Sequence, residues 1–336
     1  MIVRTDIDPA GRVLEARNGH CIDPRADRTQ IPQDLDYLPT CPDSMIGLQS
    51  EAAVAGAAQV PITPGRELPV ETLWNAWSDV RVTGIGDRRN DLDLNSTAYS
   101  ATFGADRRIS DNTVLGAMIG FQAGDSNGFS GSIETSNRGF TIGGYAASRL
   151  TENWSADATL GYGLSSIDTD ILMFSGDYLS HQFFANGSLR GQYVFDDVLI
   201  RPEASISFSH VTSGDYDLSG TVFGRAATIS LAGDDYNTGI FEARTEFSKP
   251  IVSQDMIFTP FAEFGVQVDF ARPNGGEILT GNLTYATSQR VRGTARAGFR
   301  TNIGDNVFLE ASAGYLSIGE QDFDIVEGGV FFSIGF

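Results

Sequence analysis

From Leu73 to the last residue, apolar and polar positions alternate with a period of two. Tyr99, Ala101, Phe103 and Ala105 alternate with Ser100, Thr102, Gly104 and Asp106. Ala158, Leu160, Tyr162 and Leu164 alternate with Asp157, Thr159, Gly161 and Gly163. Ala262, Phe264, Val266, Val268 and Phe270 alternate with Glu263, Gly265, Gln267 and Asp269. Successive side chains of a β-strand point to opposite faces, so each run predicts a strand with one apolar and one small, polar or charged face. Twelve such runs can be counted, at 73–85, 94–107, 113–123, 132–149, 154–168, 180–194, 198–211, 227–248, 257–271, 282–301, 307–318 and 322–336.

The connections alternate as well. Ser110-Asp111-Asn112, Thr151-Glu152-Asn153, Asp196-Asp197, 249–255 and Gly304-Asp305-Asn306 read as tight turns, rich in residues suited to turns. The intervening connections read as longer loops, at 169–179, 212–226 and 272–281. An even strand number, with short turns at one end and long loops at the other, predicts a membrane β-barrel. No run approaches the ~18 apolar residues of a membrane helix. A β-propeller would repeat a blade signature, and no Trp-Asp or Gly-His pattern recurs. Trp74, Trp77, Trp154, Tyr193 and Tyr315 lie near strand ends, where interfacial girdles are expected.

The chain stops on DFDIVEGGVFFSIGF, with Phe336, Ile334, Phe332 and Val330 on one face of the strand. Gly335, Ser333 and Gly329 lie on the other, and Phe331 breaks the pattern. A closing strand must pair with the first along its length, which accounts for an apolar face that runs to the final residue.

Charge follows the same alternation. Between 290 and 300, Arg290, Arg292, Arg296 and Arg300 share one phase, against Val291, Ala295, Ala297 and Phe299. An arginine facing lipid near the midplane costs ~2–4 kcal/mol, so this phase is expected to face a lumen. Glu263, Gln267 and Asp269 occupy the polar phase of a neighbouring run, Glu310 and Ser312 that of the next, and Glu242, Arg244 and Glu246 that of another. Opposite charges on adjacent strands predict an inward network, each pair contributing ~0.2–1 kcal/mol.

Composition excludes several functions. The net charge of −20, from 23 Lys plus Arg against 43 Asp plus Glu, argues against a nucleic-acid partner. The three histidines are His20, His181 and His210. His181 and His210, with Asp215 and Asp217 near in sequence, invite comparison with a membrane protease, but His210 shares the outward phase of Ile206 and Phe208. No nucleophile elbow, metal-binding helix or P-loop is present. No catalytic residue, metal or cofactor is assigned.

Upstream of the strands, residues 1–43 are polar and loop-like. They hold both cysteines, Cys21 and Cys41, which either close one disulfide in an oxidising compartment or stay as two thiols. MIVRTDIDPAGRV lacks the apolar run of a secretory signal. Residues 44–58, SMIGLQSEAAVAGAA, predict a short helix that Pro61 and Pro64 end. Residues 1–72 are therefore read as a linker or residual passenger, and 73–336 as the barrel.

These stretches resemble the translocator β-domain of autotransporters (type V secretion). The likeness rests on LWNAWSDV at 73–80, STAYSATFGADRRISDNTVLGAMIGF at 96–121, GFTIGGYAASRL at 139–150 and the terminal GGVFFSIGF. It implies an all-β, twelve-stranded antiparallel barrel in the outer membrane of a Gram-negative bacterium, surrounded by outer-membrane lipid. It also implies a helix through the pore, a passenger outside, and delivery by periplasmic chaperones. Phe336, Ile334, Phe332 and Val330 are similar to the signal read by the barrel-assembly machinery. The chain departs from the pattern at Pro61, Pro64 and Pro69, which separate the helix from the first strand. No Asn-Asn pair in 44–72 supports self-cleavage, and the passenger is reduced to residues 1–43 or absent. A porin-like channel or a loop-presenting adhesin is the alternative.

Overall fold

The computed structural model describes residues 73–89, 93–253, 256–273, 289–303 and 306–336, with four two-residue strands between Val3 and His20. Cys21, Cys41 and the 44–58 helix lie outside the described residues.

Twelve long strands form the wall. They are β1 (Trp74–Asp87), β2 (Leu94–Ser110), β3 (Thr113–Gly128), β4 (Ile133–Arg149), β5 (Trp154–Ile171) and β6 (Phe174–Gly191), then β7 (Val198–Ser213), β8 (Asp235–Ser248), β9 (Met256–Ala271), β10 (Val291–Ile303), β11 (Val307–Ile318) and β12 (Phe323–Gly335). Each pairs antiparallel with the next, and β12 returns to β1 from Phe323↔Asp87 to Gly335↔Asn75. The backbones of Trp74 and Phe336 exchange hydrogen bonds of 3.0 and 2.9 Å beyond that ladder. Closure leaves the wall without a free edge, which is what a sheet needs in hydrocarbon, where no water satisfies an unpaired amide.

The period-two pattern sets which side faces out. Leu160 on β5 is 67% exposed and Phe183 on β6 is 57% exposed, while their neighbours Thr159 and Phe184 are buried. Val330, Phe332, Ile334 and Phe336 of the terminal stretch point outward with Val80 and Val82 of β1. Trp74, Trp154 and Tyr193 lie at the rim that carries the tight turns and both ends of the wall, with Trp154 edge-on to Tyr193 at 6.2 Å.

Two expected loops are strands instead. The 169–179 stretch continues the β5–β6 ladder to Phe174↔Ile171, leaving only Leu172 and Met173 as the turn. The 212–226 stretch carries a further strand, Tyr216–Val222, paired with Arg225–Leu231 in the same register as β7 and β8 below it. In both stretches the alternation is inverted, with Ile171, Phe174 and Leu218 buried on the inner side and Asp170, Ser175, Asp177 and Asp217 exposed on the outer, as expected of sheet that rises past the apolar band into water. The expected 227–248 run is accordingly split at 232–234. Trp77 departs from the girdle reading altogether, since it points inward and is 4% exposed.

Candidate functional site

The inward face of the barrel carries the candidate site. On β10 the even positions Arg292, Arg296 and Arg300 point in, and on β9 the odd positions Glu263, Gln267 and Asp269 meet them. Arg300 is 2% exposed. It donates Nη1 to Glu246 Oε1 at 2.7 Å and Nη2 to Glu246 Oε2, and its Nε donates to Glu310 Oε2 at 2.6 Å. Its guanidinium also lies 4.4 Å above the Phe261 ring. Two-pronged pairing satisfies a buried guanidinium better than a single contact does.

The network continues around the wall. Arg296 donates to Glu263 at 3.0 Å and to Glu327 at 3.2 Å, with Glu242 3.6 Å away. Arg244 donates to Glu203 at 2.8 Å and to Glu263 at 3.4 Å, with Glu242 3.7 Å away. Arg292 spans Asp269 at 3.2 Å and Gln267 at 3.0 Å. Arg300, Arg296 and Arg244 thus sit between carboxylates of different strands, while Arg292 reaches only β9. The register requires this in places, because Glu246 and Glu263 face each other directly across β8 and β9. Arg300 and Arg296 bind these two like charges from the next strand.

Arg290 lies before β10, is exposed, and joins no ion pair among the described residues. Its carbonyl accepts the Asp269 amide at 2.8 Å, one residue before β10 begins at Val291. Several members were not singled out from sequence. Arg190 joins Glu203 at 2.9 Å and Asp157 at 3.2 Å, and Arg81 joins Asp79 at 2.8 Å and Glu327 at 3.5 Å. Arg201 approaches Glu246 at 3.7 Å. Their signal was available, since each occupies the polar phase of its own strand.

A second inward cluster lies toward the rim with the tight turns. Trp77 donates Nε1 to the Tyr145 hydroxyl at 2.6 Å, which donates to Asp106 Oδ2 at 2.8 Å. Phe331 stacks on Trp77 at 6.1 Å and meets Phe308 edge-on at 5.9 Å, which explains the aromatic that broke the terminal pattern. These rings fit because glycine stands opposite them. A Cβ on Gly104 would fall 2.3 Å from Trp77, one on Gly116 2.1 Å from Tyr145, and one on Gly161 2.2 Å from Phe184. The three are direct cross-strand partners. Aromatic rings packed across strand glycines are a known way to pin register in curved sheets.

At the opposite rim, Arg89 holds Asp87 at 2.6 Å and Glu320 at 3.3 Å. Burial pushes the Glu320 carboxyl above its ordinary value, and Arg89 pulls it the other way. His181 and His210 face outward. His181 Nδ1 lies 2.6 Å from the Tyr162 hydroxyl, and His210 Nδ1 lies 3.0 Å from Asn237 Oδ1. Asp215 accepts the Gly233 amide at 2.7 Å and Asp217 the Ser230 hydroxyl at 2.5 Å, so the geometry assembles no His–Asp pair from them.

Comparison with known proteins agrees with this architecture. The family described as the autotransporter beta-domain matches residues 78–314. Among solved structures, the translocator domain of autotransporter NalP from Neisseria meningitidis superposes with a TM-score of 0.63 at 13% identity, over 87% of this chain and 96% of that one. The β-domain of the Bordetella autotransporter BrkA gives 0.61 at 15% identity, over 79% and 100%. The transport unit of AIDA-I from Escherichia coli gives 0.56 at 13% identity, over 88% and 100%. The putative uncharacterized protein YaiT of Escherichia coli (strain K12) is 23% identical over 288 residues, 75% of this chain. The chain spans 28% of the length of that curated relative.

Proposed function

The chain belongs to the autotransporter β-domain family, and we propose on that footing that it exports or displays an upstream polypeptide at the cell surface. It is a barrel of the Gram-negative outer membrane. The observation that carries the proposal is the closed wall with a network of paired charges on its inner face. A wall of paired Arg and Glu side chains stays hydrated and offers little apolar surface for an unfolded chain to stick to. The same pairs hold neighbouring strands in register.

In this reading, residues 73–336 are the translocator and residues 1–72 are the linker or residual passenger, with the 44–58 helix threading the lumen. Ala52, Ala53, Ala55, Gly56, Ala57 and Ala58 give that helix the narrow girth a barrel lumen requires. Phe336, Ile334, Phe332 and Val330 form the outward terminal surface offered to the barrel-assembly machinery, after escort by periplasmic chaperones. Autotransporter β-domains are transport barrels, and we assign no catalytic residue, cofactor or nucleic-acid partner to this one.

The test is electrical. Removing residues 1–60 is expected to raise single-channel conductance in planar bilayers, because the lumen loses its occupant. Unchanged conductance would remove the threaded segment from the account and favour a porin-like channel or a loop-presenting surface protein.

A further inference from the structure

Arg138 breaks the rule that the wall turns its arginines inward. We propose that, with His181 and His210, it forms a binding site on the outside of the barrel for a phosphorylated glycolipid of the outer leaflet. The other arginines of the twelve strands point into the lumen or stand at the rim with the tight turns. Arg138 is exposed on the outward phase of β4 and joins no ion pair or hydrogen bond among the described residues. Its height explains how the membrane tolerates it. From Leu150 to Phe140 the outward positions hold Leu150, Ser148, Ala146, Gly144, Ile142 and Phe140, with no charge. At about 3.3 Å per residue and a tilt of about 40°, that stretch rises about 25 Å, the height of the apolar band. Arg138 is the next outward position, so its guanidinium stands at headgroup level, where a cation costs little.

His181 and His210 stand at the same height. Register rows run perpendicular to tilted strands, so they climb around the wall. The row through Trp77, near the tight-turn end of β1, arrives at Thr238, near the opposite end of β8. With strands about 4.8 Å apart and tilted about 40°, each step toward β8 gains about 3 Å, and each residue along a strand about 2.5 Å. The row through Arg138 passes Ser166 and reaches Leu179 on β6, about 6 Å higher. His181 lies two residues back toward the apolar band, about 5 Å lower. The Gly214 amide donates to the Leu179 carbonyl at 3.4 Å and carries the row just past β7, about 9 Å up. His210 lies four residues back, about 10 Å lower. Side chains of three strands therefore share one level, although no single register row joins them.

This line has the chemistry of a phosphate-bearing sugar headgroup. A guanidinium pairs with phosphate through two parallel hydrogen bonds. His181 Nδ1 is held by the Tyr162 hydroxyl and His210 Nδ1 by Asn237 Oδ1, which leaves Nε2 of each ring to a ligand. Ser166 and Asn237 are exposed beside them and suit sugar hydroxyls. Below the line, Phe140, Ile142, Leu160, Phe183, Ile206 and Phe208 offer exposed apolar surface to acyl chains. Above it, Asp125, Asp168 and Asp177 are exposed on the same face. They repel an anion that arrives from water, whereas a phosphate held at headgroup level meets the basic groups first. The order apolar, basic, acidic thus favours a membrane lipid over dissolved phosphate. Basic groups spread over three strands favour a headgroup with more than one phosphate over a phospholipid with one.

Titration of the detergent-solubilised full chain with lipid A bearing two phosphates, read by native mass spectrometry, tests this. Dephosphorylated lipid A is expected to bind about tenfold or more weakly. The exposed double substitution Arg138→Gln and His181→Gln should weaken the two-phosphate form about tenfold and leave the dephosphorylated form unchanged. The heat-modifiable band should persist, as proof that the variant folds. Arg138→Lys keeps the charge and should stay within about threefold of the native chain. Arg107→Gln, at the rim with the tight turns, should change nothing. Equal binding of the two lipid forms, or a double variant that binds like the native chain, overturns the proposal. Displacement of the lipid by millimolar inorganic phosphate, or equal affinity for phosphatidylglycerol, would show a site for any anion and overturns the glycolipid assignment.

Discussion

Arg300 shows what one inward residue does in this wall. Its guanidinium is held by Glu246 and Glu310 and lies over Phe261, with almost no exposure. A buried pair is weak evidence of net stability, but removing one partner strands the other charge at a cost of ~3–5 kcal/mol. Arg300→Ala should therefore lower the unfolding free energy of the detergent-solubilised barrel by about that much, read by urea titration with tryptophan fluorescence. A loss near the ~0–1 kcal/mol of a surface pair would mean that water already solvates Glu246. Phe336 acts at a different stage. It is exposed at the end of the outward terminal face, so it contributes little packing within the barrel. Phe336→Ser should reduce the folded outer-membrane fraction, seen as loss of the heat-modifiable band on unboiled gels, and normal assembly would reject its role as a signal.

At the scale of elements, alternation decides most of the fold. β10 is the sharpest case, because one register places three arginines inward and Val291, Ala295, Ala297 and Phe299 outward. Arg292→Cys should react with a water-soluble maleimide, and a fluorophore on Val291→Cys should be quenched by lipid-borne probes. The reverse pattern would turn the strand inside out. The twelve strands were legible because lipid on one side and water on the other enforce a period of two. The pattern failed where that asymmetry ends. Asp170, Ser175 and Asp177 looked like loop but continue the β5–β6 ladder, because that part of the sheet stands in water. Trp77, Tyr145 and Phe331 were unreadable as lumen residues from their type alone. Their position on the polar phase, each ring against a neighbouring strand, shows only once register is known. The pairing of Arg190 with Asp157 and Glu203 was hidden for the same reason, since cross-strand partners cannot be matched before the turns are placed.

At the scale of the whole molecule, closure and charge serve one end. The β12–β1 ladder removes the free edge of the wall where lipid surrounds it. The inward arginines are paired with carboxylates, so the wall is polar while its guanidinium charges are compensated. Such a barrel suits a chain that crosses the membrane once and remains attached to β1. The most direct measurement of that claim uses the two native cysteines, Cys21 and Cys41, both upstream of the wall. After mild reduction, intact cells are treated with a maleimide on a polymer too large for outer-membrane pores, and labelling is compared with lysed cells. The account predicts equal labelling before and after lysis, because residues 1–43 lie outside the cell. Labelling that appears only after lysis would contradict it.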